Sequence, residues 1–157
     1  MKKYYSMKIV LYQPEIPQNT GNIGRLCVAT DTELILVKPL GFFIGDKEIR
    51  RSGLDYWKDL KLTQINALDE IPPPPPPSKV WYLSTKGKTP YYEAHFQNDD
   101  VLVFGSEGSG LPASVFEKYP DQILTIPMWG PVRSLNLATS VGIVLYEAYR
   151  QLRIKKS

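Results

Sequence analysis

The chain holds one cysteine and one histidine. A single cysteine excludes an internal disulfide, so the sequence asks for no oxidising compartment. A zinc centre needs clustered Cys, His or carboxylate ligands, and neither that inventory nor any DxD-type cluster supplies one. His95, between Ala94 and Phe96, has no Ser/Asp set to work with and reads as a packed or surface histidine. Cys27 falls on the apolar face of a helical pattern and reads as core. No apolar run approaches the ~20 residues of a membrane span. Ile9–Leu11, behind the basic start Met1–Ser6, is too short for a secretory segment. Charge of one sign is also scarce: the net charge is +3, which tolerates a nucleic acid partner without demanding one. The expectation is a cytoplasmic, metal-free protein with no membrane contact. Its 157 residues form a single domain, with residues 1–6 a flexible N-terminus.

What is present is a regular alternation. Lys8–Tyr12, Leu34–Val37, Lys61–Ile65, Val80–Leu83, Val101–Phe104 and Ile123–Ile126 read as short strands. Val101–Phe104 is almost wholly apolar, as a strand covered on both faces must be. Asn19–Asn22 reads as a turn feeding a helix that runs through Ala29. Asp46 can cap a brief helix, Lys47–Ser52, and Pro112 starts another. Pro72–Pro77, six prolines in a row, reads as a stiff polyproline II connector. Strands alternating with helices predict an α/β fold, a mostly parallel sheet with helices on both faces.

The last helix is the widest. Leu137, Val141, Val144, Ala148 and Leu152 form one stripe, and Ala138, Leu145 and Tyr149 widen it to an apolar arc of roughly 200°, against ~100° for a surface helix. Such an arc predicts a second buried side, filled by a partner such as a second copy of the chain. Ser134 or Asn136 can cap this helix.

Three strands end in special loops: Leu83-Ser84-Thr85, Gly105–Gly110 and Ile126–Ser134. In open α/β sheets ligands bind beyond the carboxyl ends of strands, so these loops outline a pocket built largely from backbone. The G-x-x-G-x-G of Gly105–Gly110 is neither the dinucleotide fingerprint nor a Walker loop. Glu107 at its centre disfavours phosphate and suits a neutral or positive ligand. The same glycines also suit a plain strand-to-helix turn. Asn19, Asn22 and Arg25 recur at spacings of three, amides and a guanidinium suited to a phosphate or a ribose hydroxyl, or to capping and a solvated helix face. Arg50, Arg51, Tyr56 and Trp57 mix cations with rings, as single-stranded RNA binders do, but Asp46, Glu48, Asp55 and Asp59 nearly balance them.

Three ordered motifs carry a resemblance across about Lys8–Leu152: Pro17–Cys27 (PQNTGNIGRLC), Phe104–Pro112 (FGSEGSGLP), and Ile126-Pro127-Met128 with Arg133–Leu137 (RSLNL). Arg50–Tyr56 and Leu83–Gly87 accompany them. Together they resemble the SPOUT class of RNA methyltransferases, and within it the small TrmH-related enzymes that methylate the ribose of the tRNA wobble nucleotide. The resemblance implies a SPOUT fold with a C-terminal trefoil knot. It implies S-adenosyl-L-methionine held by Leu83, Gly105, Ile126 and Met128, with Ser134 and Asn136 nearby. It also implies a homodimer through the C-terminal helix. The substrate would be a tRNA anticodon stem-loop, methylated on the 2′-hydroxyl of cytidine or 5-carboxymethylaminomethyluridine at the wobble position. Arg25 would act on that hydroxyl, as a base or by orienting it, with Asn19 beside it. Glu107 would hold Arg25 or shape its loop. Two alternatives stand beside this reading: a methyltransferase of the same class acting on ribosomal RNA or another tRNA position, and an RNA-binding module without catalysis. Intact Arg25, Ser134 and Asn136 argue against the second.

Overall fold

The computed structural model describes residues 6–45, 47, 49 and 56–156. The capped helix and most of the basic stretch expected at Asp46, Glu48 and 50–55 lie outside the described residues, as do residues 1–5 and Ser157. Seven strands form one sheet: β1 (Lys8–Tyr12), β2 (Glu33–Val37), β3 (Leu62–Ile65), β4 (Val80–Leu83), β5 (Thr89–Pro90), β6 (Val101–Phe104) and β7 (Ile123–Thr125). Their order is β3-β2-β1-β6-β4-β7-β5, and every pairing is parallel. The chain first winds one way, β1 to β2 to β3. It then crosses back, and β6 inserts between β1 and β4. The carboxyl ends of β1 and β6 therefore lie side by side where the winding direction changes, the place where open α/β sheets bind ligands.

Alternate residues of the strands feed two cores. On one face Ile9, Leu11, Leu34, Leu36, Leu102 and Phe104 pack with Ile23 and Cys27 of α1 (Pro17–Ala29) and with α3 (Leu137–Lys156). On the other, Val10, Ile35, Val101 and Val103 meet Ile71 and Leu111, together with Val115 of the short helix α2 (Ala113–Lys118). Both faces are covered, which is why the central strands read as apolar runs rather than alternating ones. Asp100, buried at the foot of β6, accepts the N–H groups of Lys79 and Gln97 and the indole N–H of Trp81. Burial pushes its carboxyl pKa up, against the pull of those donors.

The structure departs from the sequence reading at four places. Helix α1 begins at Pro17, with no turn at Asn19–Asn22; proline is favoured at a first helical position, and Asn19 finds tertiary partners instead of making a local turn. Pro112 precedes α2 as its cap residue rather than opening it. The proline run is an exposed spacer as expected, but it ends in a turn in which the Ser78 N–H donates to the Pro75 carbonyl at 2.9 Å. The wide arc of α3 needs no partner to bury it. Val144, Leu145 and Ala148 are wholly inside this chain's own core, and Tyr149 joins them by bonding its hydroxyl to Thr32. What α3 leaves outward is Tyr146, with Ile143 and Gly142 half-buried. Among the described residues no helix is long and apolar enough to cross a membrane.

Candidate active site

A cavity of about 540 Å³ opens at the carboxyl ends of β4, β6 and β7. That volume lies within the range of small-molecule and cofactor sites. Asn19, Leu83, Gly105, Glu107, Ile126, Met128, Ser134 and Asn136 all line it. Residues expected from three motifs far apart in sequence thus meet in one place.

Each wall has a local cause. The loop after β4 turns at once, with the Gly87 N–H donating to the Ser84 carbonyl and the Lys86 N–H to Ser84 Oγ, and the Ser84 N–H ties it to Leu124 of β7. The glycine loop folds back on itself: Ser106 and Gly110 exchange backbone hydrogen bonds, with Gly110 at φ +70°. A side chain on Gly105 would meet the Gly110 carbonyl carbon at 2.3 Å and the Leu111 nitrogen at 2.5 Å, so glycine is required there by a close backbone approach. Asn136 caps α3 by accepting the Thr139 N–H at 3.2 Å; Ser134 does not take this role.

Glu107 explains how α1 begins. The residue before that helix, Ile16, offers no side-chain cap. The Glu107 carboxylate supplies one from across the sheet, accepting the N–H groups of Glu15 at 2.8 Å and Ile16 at 2.9 Å and the side-chain amide of Asn19 at 3.3 Å. Glu15 returns the contact by accepting the Gly108 N–H at 2.8 Å. Asn19 then accepts from the Asn136 amide at 2.9 Å. One polar chain, Glu107–Asn19–Asn136, therefore ties the glycine loop, α1 and the start of α3 together. Glu107 shapes the loop and caps the helix. Its carboxylate borders the cavity but is engaged by the two N–H groups just before α1 and by the Asn19 amide. Removing it gives the two exposed N–H groups to water and leaves the buried Asn19 amide without this acceptor. Glu107→Ala is expected to lower the unfolding free energy by about 2 kcal/mol, read from the urea midpoint. Glu107→Gln, with one acceptor oxygen left, is expected to lose about half as much.

The glycine loop is not a phosphate cradle. The N–H groups of Ser106, Gly108, Ser109 and Gly110 already donate within the chain. The walls are backbone, hydroxyl, amide and apolar groups, and the cations Lys86 and Arg133 are exposed at the rim. Such a cavity suits a ligand with a neutral ring system and a small zwitterionic end better than a dinucleotide. Sequence reasoning does not single out Lys86 or Arg133, although each lies within a stretch that it does: Lys86 follows Leu83-Ser84-Thr85, and Arg133 opens RSLNL.

Arg25 does not line this cavity. It is exposed on α1, its guanidinium 4.8 Å from the centre of the Tyr56 ring, and Asn22 is exposed as well. Asn19 is buried and turned to Glu107 and Asn136. The three residues do not form one cluster, since positions six apart on an α-helix point ~120° away from each other. His95 is exposed and Cys27 is fully buried in the core.

A parallel sheet bearing a backbone-lined cavity at the ends of β4, β6 and β7, with a long helix returning to α1, defines a ligand-binding α/β domain. The chain matches the SpoU rRNA Methylase family over residues 6–146 and belongs to it. It is 43% identical over 147 residues to the tRNA (cytidine(34)-2′-O)-methyltransferase of Escherichia coli strain K12, covering 93% of this chain and 94% of that one. A solved structure concerned with 2-OH methylation of C/U34 on tRNA superposes with a TM-score of 0.87 at 44% identity, covering 95% and 97% of the two chains. An AdoMet-bound rRNA methyltransferase from Sinorhizobium meliloti superposes at 0.83 with 25% identity, over 96% of this chain and 58% of that one.

Proposed function

We infer that the protein transfers a methyl group from S-adenosyl-L-methionine to the ribose 2′-hydroxyl of the wobble nucleotide in a tRNA anticodon loop, cytidine or a modified uridine. The observation that carries this reading is the convergence of the three motifs on one cavity of about 540 Å³ at the carboxyl ends of β4, β6 and β7. The residues fit the cofactor: walls of backbone and small polar groups, apolar patches at Leu83, Ile126 and Met128, and loop N–H groups that already donate within the chain and so are not offered to a polyphosphate. Bound there, S-adenosylmethionine supplies a methyl group on a sulfonium, a leaving group good enough that catalysis is mainly positioning and removal of one proton. Leu83, Gly105, Ile126 and Met128 would hold it, with Ser134 and Asn136 beside them. Asn136 is itself positioned by Asn19 and, through it, by Glu107.

Arg25 would orient the ribose hydroxyl and stabilise the charge that develops on its oxygen. A guanidinium is a poor base, because it stays protonated across the physiological range. Because Arg25 does not line the cavity of its own chain, this role calls for a second copy to carry it to the cavity mouth. The reading is therefore of a homodimer, acting in the cytoplasm as a single methyltransferase domain. The outward residues of α3, Ile143 and Tyr146, are the part of the C-terminal helix left to meet that second copy. A knotted C-terminus, as the resemblance implies, is part of the same reading.

The family's own description speaks of rRNA, so the acceptor is what the experiment must decide. A tRNA with a single 2′-deoxy sugar at the wobble nucleotide is expected to accept no methyl group, whereas the same change at a neighbouring nucleotide leaves transfer largely intact. Methyl groups appearing on the deoxy-wobble substrate would mean that the acceptor is a base or another ribose. Transfer to ribosomal RNA with none to tRNA would favour the alternative within the same class.

A further inference from the structure

The loop between β7 and α3 leaves the cavity at Met128 and returns to it at Arg133. Between them it carries Trp129, whose side chain is 91% exposed, and Val132, which is 61% exposed. The chain's other two tryptophans behave differently: Trp81 is buried and donates to Asp100, and Trp57 is half-buried. An indole left in water beside a ligand cavity is an uncompensated hydrophobic cost in the free protein, so its surroundings should say what covers it. Trp129 adjoins a residue of the cavity wall. Four residues further on is Arg133, an exposed guanidinium at the rim of the same cavity. A flat ring and a cation presented together at a mouth is the combination that binds unpaired nucleotides: the ring stacks a base of any sequence, and the guanidinium meets a phosphate.

We propose that Trp129 is the base-stacking platform for a nucleotide flanking the acceptor ribose, with Arg133 on the adjoining phosphate. The inference rests on the functional reading above and adds to it the part of the chain that grips the RNA. An unpaired base is favoured over a second copy as the occupant because the ribose must enter by the mouth that this loop borders. The second copy invoked above brings Arg25 to one side of this mouth; a seam that also covered Trp129 would leave the ribose no way in, and Arg133 beside it offers a cation for a phosphate. Trp129 is thus a positioning residue: it would hold the strand so that one particular ribose faces the methyl donor. It belongs to the substrate's binding and has no part in the cofactor's.

The probe is a synthetic anticodon stem-loop RNA carrying cytidine at the wobble position, titrated against the full-length chain. Trp129→Ala is expected to weaken RNA binding about tenfold, within the range that removal of one base–aromatic stack gives. Its affinity for S-adenosylhomocysteine, measured by calorimetry, and its sedimentation coefficient are expected to match wild type. Trp129→Phe keeps a ring and is expected to restore most of the RNA affinity. The RNA is also expected to quench the exposed indole: a fall in tryptophan emission in wild type that is absent from Trp129→Phe. Equal RNA affinity of wild type and Trp129→Ala, in a wild-type protein that methylates the stem-loop, overturns this proposal alone. Dissociation of Trp129→Ala into monomers overturns it too, by placing the ring at a seam between copies. A wild-type protein that neither binds nor methylates the stem-loop overturns the functional reading, and this inference with it.

Discussion

Arg25→Ala is expected to fold, to dimerise and to bind S-adenosylhomocysteine as wild type does, while methyl transfer to tRNA falls on the order of 10²–10³-fold. The magnitudes separate this outcome from a structural effect. Arg25 lies over the Tyr56 ring, at 4.8 Å from its centre, on an exposed face. An exposed cation–π pair is worth only about 0.5–1 kcal/mol. Losing it shifts a melting curve slightly and does not remove activity. Arg25→Lys is expected to fail nearly as badly, because an ammonium lacks the planar fork of donors. The geometry permits a sharper test. Arg25 lies outside its own chain's cavity, so in the homodimer proposed above an Arg25→Ala protomer and a protomer with a ruined cofactor loop would be defective in different halves of a shared site. Mixed after unfolding and refolded together, the two inactive variants are expected to regain about a quarter of wild-type activity: half of the dimers are hybrids, and each hybrid holds one intact site of two. A mixture that stays inactive would show that Arg25 serves the cavity of its own chain. Full activity of Arg25→Ala alone would leave Arg25 as a solvated helix residue.

The sheet is readable from the sequence because its strands are short apolar runs punctuated by proline and glycine, and six of the seven lie where those runs do. The two-residue β5 (Thr89–Pro90) is not, since two residues carry no period. The start of α1 misleads for a physical reason. Asn-Thr-Gly-Asn has the composition of a turn, and it becomes helical because Glu107, far away in sequence, caps the helix from outside and engages the first of those asparagines. No local pattern contains that contact. The breadth of the apolar arc on α3 is legible, but its meaning is not. A long helix lying across a sheet and against α1 buries two sides within one chain, and Tyr149 is admitted to the core by a hydroxyl bond to Thr32. The cavity walls are legible because they come from strand-end loops whose glycines and prolines stand out. The place of Arg25 outside the cavity is not, since spacing along a helix fixes a direction but not what lies opposite that face.

The glycine loop makes the second large prediction, and its cause differs from a simple filling of the cavity. A Cβ at Gly105 points at the loop's own return, 2.3 Å from the Gly110 carbonyl carbon and 2.5 Å from the Leu111 nitrogen. These are backbone atoms held by the reciprocal Ser106–Gly110 bonds, so they cannot step aside as a flexible side chain would. Any side chain at Gly105 must therefore open the loop, and the opening is transmitted. Glu107 sits two residues on, and moving it releases the start of α1 and, through Asn19, the cap of α3. Gly105→Val is expected to bind no S-adenosylhomocysteine in calorimetry while keeping the far-ultraviolet circular dichroism of an α/β protein, and Gly105→Ala to do nearly as badly. Gly110 provides the control within the same loop. It has φ +70°, but a Cβ there would have nothing within 4 Å, so Gly110→Ala carries only the local cost of a left-handed residue, about 1–2 kcal/mol. Gly110→Ala is expected to lower the urea midpoint yet retain measurable cofactor affinity. If Gly105→Ala binds S-adenosylhomocysteine like wild type while Gly110→Ala does not, the cavity depends on the conformation at Gly110 and not on the close approach at Gly105.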